Sequence, residues 1–247
     1  MNKKIAIALL SFILIGVFDL NAQRRGGASD EEIKSTVKST YFDIYAGVYE
    51  NSIKINDLGT AINAVQTMLA VKPEETHLKD TLALLYFNTG MYYQAMIVSD
   101  EILQKDAKKV EMLEVRAISK QSLGQIREAL SDYETLYRET SDVYYKYQVA
   151  TLQYSLGRFG EATSNIDKLL SREEIADRKL NITATQNQVQ EVPMRAALLN
   201  MLGVIALEVN QPESALNNFK QALELHPSFI LASNNLKMVE EYLKENK

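Results

Sequence analysis

The sequence contains no cysteine. That removes thiol nucleophiles, thiolate metal sites and disulfides together, and with them the acylated cysteine of a bacterial lipoprotein. It has only four prolines and ten glycines in 247 residues, which leaves little to interrupt long ordered segments. Its two histidines, His77 and His226, lie far apart in the chain. No His-Glu-x-x-His, P-loop, Gly-x-Ser-x-Gly or dinucleotide fingerprint occurs, so no familiar catalytic or cofactor motif is present and none calls for a cofactor or metal. Basic excess is also missing. The net charge is −5, whereas a phosphate-binding face leaves a surplus of lysine and arginine, so nucleic acid is not the expected partner.

The chain does have a charged and then apolar start. Lys3 and Lys4 precede an apolar run from Ile5 to Phe18, which is short for a membrane span of ~20 residues. Asp19 and Asn21 then interrupt it. Residues 1–22 therefore read as a signal peptide with a cut after Ala22, leaving no transmembrane span in the mature chain; the alternative reading is an uncleaved N-terminal anchor. Residues 23–30 follow as a linker, and Ser29 or Asp30 is placed to cap a first helix that carries Glu31 and Glu32 in its opening turn.

Beyond the linker the dominant signal is a repeat. Ala61, Ala95, Ala129 and Ala162 recur at a stride of 33–34 residues, and Ala215 follows at a longer one of 53. A residue that tolerates positive φ stands five positions before each: Asn56, Gly90, Gly124, Gly157 and Asn210. Four residues after the alanine a bulky side chain follows in four of the five cases, Val65, Tyr133, Ile166 and Phe219; Ser99 is the exception, and looser packing is expected there. Each unit thus encodes two amphipathic helices joined by a tight turn. The boundaries are 42–75, 76–109, 110–142, 143–174 and 196–229, with a closing helix over 230–247 whose apolar face is Ala232, Leu236, Val239 and Leu243. The excess before the fifth unit, within 171–195, has a polar middle with little helical periodicity and reads as an inserted loop.

The clearest unit, 196–229, resembles a tetratricopeptide repeat. Leu202-Gly203, Ala206, Ala215, Phe219, Ala222 and Pro227 stand at that family's spacing, and Pro212 suits the first turn of the second helix. The resemblance implies an all-α fold, an α-solenoid of about five such repeats capped by the last helix. It also implies a concave face, lined by the first helix of each repeat, that takes a protein or peptide partner. On the family's pattern the lining residues are Leu84, Phe87 and Asn88; Ile118, Gln121 and Ser122; Tyr144, Tyr147, Gln148, Thr151 and Tyr154; and Asn200, Val204 and Leu207. Tyr144, Tyr147 and Tyr154 share one helical stripe, and such side chains give large contact area at low entropic cost. Some members of the family grip a C-terminal carboxylate with Lys, Asn and Arg. The corresponding places here are Asp80, Leu84, Val115, Tyr144 and Gln148, none of them basic, which argues against that ligand.

The functional expectation is a non-catalytic interaction scaffold. The Leu20-Asn21-Ala22-Gln23 ending resembles signal peptides of Bacteroidetes-type bacteria, which implies export to the periplasm. The alternative is a self-assembling, homo-oligomeric envelope component that pairs through the closing helix or the surface around Ser99. Acidic side chains such as Glu111, Glu114, Glu128 and Asp132 are expected on solvated faces.

Overall fold

The computed structural model describes residues 29–185 and 188–245. The expected signal peptide and most of the linker lie outside them. Among the described residues no helix is long and apolar enough to cross a membrane. The chain divides into two compact units at Leu78 and Lys79.

The first unit is a helix pair, α1 (Asp30–Lys54) and α2 (Leu58–Val71). Ser29 caps α1 in a reciprocal capping box: its hydroxyl accepts from the Glu32 amide and the Glu32 carboxylate accepts from the Ser29 amide, satisfying two donors that the helix itself cannot. The Asp57 carboxylate caps α2 by accepting from the Thr60 amide. The core of this unit is Ala61, Ile62, Ala64, Val65 and Met68, all on α2. Lys72 lays its ammonium 4.3 Å from the centroid of the Phe42 ring.

The second unit takes α3 (His77–Asn88) from Lys79 onward and continues with α4 (Tyr92–Leu103), α5 (Val110–Ser122), α6 (Ile126–Thr140), α7 (Val143–Ser155), α8 (Phe159–Leu170), strands β1 (Lys179–Thr185) and β2 (Gln188–Pro193), then α9 (Met194–Glu208), α10 (Pro212–Leu225) and α11 (Ile230–Glu245). It is an all-α helical repeat with one short hairpin inserted. The turns inside the helix pairs of both units share one solution. Asn56, Gly90, Gly124, Gly157 and Asn210 all have φ between 57° and 75°. Each is followed by an amide that reaches back over the turn: Asp57 to the Ser52 carbonyl, Met91 to Tyr86, Gln125 to Lys120, Arg158 to Gln153 and Gln211 to Ala206, at 2.8–2.9 Å. This is the helix-ending motif that a left-handed residue permits.

The five recurring alanines, Ala61, Ala95, Ala129, Ala162 and Ala215, are fully buried, as are Val65, Tyr133, Ile166 and Phe219 one turn beyond four of them. Where the fifth bulky residue is missing, Ser99 is also fully buried, and its hydroxyl donates to the Ala95 carbonyl at 2.7 Å. Ser99 therefore cannot itself be a contact residue of a self-pairing surface. The face of α11 lies as its apolar pattern requires. Val239, Leu236 and Leu243 pack with Ala206, Ala215 and Phe219, and Ala232 joins the larger core of α7–α10.

Two expectations are corrected. The segment read as an inserted loop forms an antiparallel hairpin, with Leu180 opposite Val192 and Ile182 opposite Gln190. Its inward residues Leu180 and Val192, with Ile175 from a short 3₁₀ turn (Glu173–Ile175) and Met194, are buried in the core between α8 and α9, so the insertion fills a joint between helix pairs. Asp132 is likewise not on a solvated face. It is only 4 % exposed and accepts two bonds from Arg116 (2.9 and 2.6 Å) and one from Lys120 (2.8 Å), while Arg116 also donates to Asp100 at 2.5 Å. This cluster ties α4, α5 and α6 together.

One side chain clips the hairpin to the end of the chain. The Gln190 amide donates to the Ser228 carbonyl at 2.7 Å and accepts from the Ile230 amide at 2.9 Å. Gln190→Ala should cost about 1–2 kcal/mol, two ordinary net hydrogen bonds, and amide exchange should quicken in β2 and the first turn of α11. Unchanged exchange at both places would show that the clip carries no stability.

Candidate functional site

The candidate site is the face of the second unit built on α7. Its helix starts where the Asp142 carboxylate accepts from the Tyr144 amide at 2.9 Å, with Arg178 held to the same carboxylate. Val143, Tyr145, Val149, Ala150, Leu152 and Gln153 are buried, which turns Tyr144, Tyr147, Gln148, Thr151 and Tyr154 toward the partly exposed side. Tyr144, Tyr147 and Tyr154 rest their rings against the core and are only partly buried. They serve both as packing and as surface.

Their hydroxyls are organised. The Gln148 Nε2 donates to the Tyr144 hydroxyl at 2.7 Å, and the Tyr144 ring meets that of Tyr145 edge-on at 5.6 Å. The Tyr154 hydroxyl donates to the Glu208 carboxylate of α9 at 3.5 Å. Thr151 turns its hydroxyl onto the Tyr147 carbonyl. Burial raises the Tyr147 and Tyr154 hydroxyl pKa values, with Glu208 adding to the second. Burial, reinforced by the Glu114 carboxylate to which it hydrogen-bonds, pushes Tyr145 up to about 12. Tyr145, Tyr147 and Tyr154 therefore stay neutral hydrogen-bonding groups at physiological pH.

The other predicted residues extend from this centre. Gln121 on α5 accepts from the buried Tyr133 hydroxyl at 3.2 Å, and Tyr133 packs 6.4 Å from Tyr145, which joins α5, α6 and α7. Ile118 is partly exposed one turn earlier. On α9, Asn200 accepts from Asn235 of α11 at 3.0 Å, and Val204 and Leu207 pack partly into the last apolar cluster. On α3, Phe87 is turned against the Tyr92 ring at 6.0 Å, Leu84 is partly buried and Asn88 and Ser122 are exposed. Asp80 of α3 is paired with Lys109 at the start of α5. Three neighbours fall outside the predicted set: Glu114, Glu208 and Asn235. Glu114 and Glu208 each stand one helical turn from a predicted residue, Ile118 and Val204, and that spacing was the available signal.

A separate cleft of about 330 Å³ opens between α8, α9 and α10, lined by Leu170, Arg195, Leu199, Gln221, Glu224 and Leu225. None of the predicted residues lines it. Among the described residues no group of three or more His, Asp or Glu is placed to hold a metal ion.

Comparison with known proteins agrees with this architecture. Residues 196–229 match the sequence model of the tetratricopeptide repeat. The chain is 42 % identical over 52 residues to the ycf37 protein of Pyropia yezoensis, a stretch covering 21 % of this chain and 29 % of that protein, so it spans under a third of the relative's length. Among solved structures it is similar to YrrB, described as a TPR protein with an unusual peptide-binding site (TM-score 0.61, 16 % identity, 78 % of this chain and 90 % of that one). It is also similar to MamA (0.59, 15 %, 76 % and 93 %) and to MamA residues 41 to the end from Desulfovibrio magneticus RS-1 (0.58, 13 %, 76 % and 97 %). At such identities the likeness is one of fold. With the alanine stride and the five left-handed turns, residues 196–229 are identified as a tetratricopeptide repeat, and the helical-repeat fold of the described residues is that of tetratricopeptide-repeat proteins.

Proposed function

We propose that this protein is a non-catalytic scaffold of the bacterial envelope that holds an extended segment of a protein partner across the face formed by α5, α7 and α9. The observation that carries the reading is the tyrosine stripe of α7. Tyr144, Tyr147 and Tyr154 pack against the core, Tyr144 and Tyr154 are also held by hydrogen bonds, and all three residues stay partly exposed. Pre-ordered aromatic side chains with polar tips offer contact area without a large ordering cost on binding. Gln148 places a side-chain amide beside Tyr144, suited to the main chain of an extended peptide. YrrB, which shares the fold, is described as binding peptide, and that supports the same use here. The export step rests on the charged and apolar start of the sequence.

The test is capture of a partner from the envelope fraction by the immobilised chain. Tyr147→Ala combined with Tyr154→Ala should reduce capture by about tenfold or more, the scale of an aromatic hot spot. Circular dichroism should show the helices intact. Undiminished capture by this folded variant would remove the α7 face from the function.

A further inference from the structure

On the reading that the α7 face takes an extended segment, we propose that the segment is cationic, with lysine or arginine side chains spaced among apolar ones. The charges around this face are unevenly partnered. Every basic side chain on or beside this face is already engaged. Arg116 and Lys120 are held by Asp132 and Asp100, Lys109 by Asp80, and Arg178 by Asp142. Lys146 on α7 turns to the Tyr137 ring of α6, 4.5 Å away, and Arg195 on α9 donates to the Leu170 carbonyl at the end of α8. The carboxylates that remain are Glu111 and Glu114 on α5 and Glu208 on α9. Within ion-pair distance none of the three has a lysine, arginine or histidine among the described residues.

The placement matters as much as the sign. Glu114 hydrogen-bonds the Tyr145 hydroxyl on one flank of α7 and Glu208 accepts from Tyr154 on the other, so the aromatic stripe runs between unneutralised carboxylates. Tyrosine ring faces themselves attract ammonium and guanidinium groups. The Tyr144 hydroxyl accepts from Gln148 and keeps its own proton to donate to a peptide carbonyl. A lysine-bearing segment would find ring faces, carboxylates and main-chain partners together. An acidic segment would meet three carboxylates while the cations without a carboxylate partner, Lys146 and Arg195, are turned onto α6 and α8, a repulsion that selects against it.

The inference is tested with the full chain and three fluorescent peptides of about 12 residues, ~40 Å when extended, repeating Gly-Lys-Leu, Gly-Gln-Leu or Gly-Glu-Leu. Anisotropy is read at about 50 mM and about 300 mM salt, since a charge-dependent complex weakens as the screening length shortens. The lysine peptide should bind about tenfold or more tighter than the glutamine peptide, and the glutamate peptide should not bind. Glu114→Gln with Glu208→Gln, which keeps both hydrogen bonds to tyrosine available, should weaken the lysine peptide about 5-fold or more, whereas Glu128→Gln on α6 should not. Equal binding of the lysine and glutamine peptides, lost on Tyr147→Ala with Tyr154→Ala, would overturn the charge preference and leave the groove standing. Lysine-peptide binding indifferent to both double variants would overturn both. Failure of all three peptides to bind would overturn the charge preference alone, the groove then resting on the capture experiment.

Discussion

Asp132→Ala is expected to destabilise the protein by about 3–5 kcal/mol, the range for removing one partner of a buried ion cluster. The reason is what the change leaves behind. Lys120 donates to Asp132, and no other carboxylate lies within ion-pair distance of it among the described residues; Arg116 would keep only Asp100. Both cations are largely shielded, at 14 % and 19 % side-chain exposure, so water can solvate neither well. The deficit should therefore exceed the value of the lost hydrogen bonds alone. Urea denaturation measures it. Replacing Lys120 by Met in the same chain should recover part of the loss, because a buried apolar side chain needs no counter-charge. A cost below about 1 kcal/mol, or no recovery, would mean that water or a rearranged carboxylate takes the place of Asp132.

The second large effect concerns Gly203 and Phe219. A methyl group on Gly203 would lie closer than 3.0 Å to three carbons of the Phe219 ring, which is fully buried between α9, α10 and α11. The glycine is there because two helices and an aromatic ring converge on one point. Gly203→Ala should cost about 1–3 kcal/mol by overpacking, and Phe219→Ala about 3–5 kcal/mol by leaving a void. The two are coupled. With the ring gone the methyl has room, and alanine is the better helix former by about 1 kcal/mol, so Gly203→Ala should become neutral or stabilising in the Phe219→Ala chain. Simple additivity of the two costs would contradict the contact.

These same residues show how far the sequence could be read. Ala215, Phe219 and Gly203 stand at family spacing, and the five left-handed turns are written as Asn or Gly at one place in each unit. Such features are local, since a positive φ or a close helix approach restricts the residue type directly. The hairpin was harder to see. Its strands are short, and the alternation is carried only by Leu180 and Ile182 on one side and Val192 on the other, too little to stand out from a polar connection. Asp132 was misplaced because an acidic residue in a helix reads as solvated unless its partners are known. Those partners, Arg116 and Lys120, lie on the preceding helix one turn apart. For the candidate site, helix periodicity grouped Tyr144, Tyr147 and Tyr154, but it could not show that their hydroxyls are tied to Gln148 and Glu208 or that the flanking carboxylates lack counter-ions.

The Gln190 clip gives the hairpin a second role. Its amide grips the turn between α10 and α11 from both sides, as donor to Ser228 and acceptor from Ile230. A displacement of β2 must therefore break this grip or drag the closing helix with it. Repeat arrays are as a rule built from contacts between immediate neighbours, so this glutamine acts as a shortcut, wiring the joint after α8 to the start of α11 past the helix pair α9 and α10.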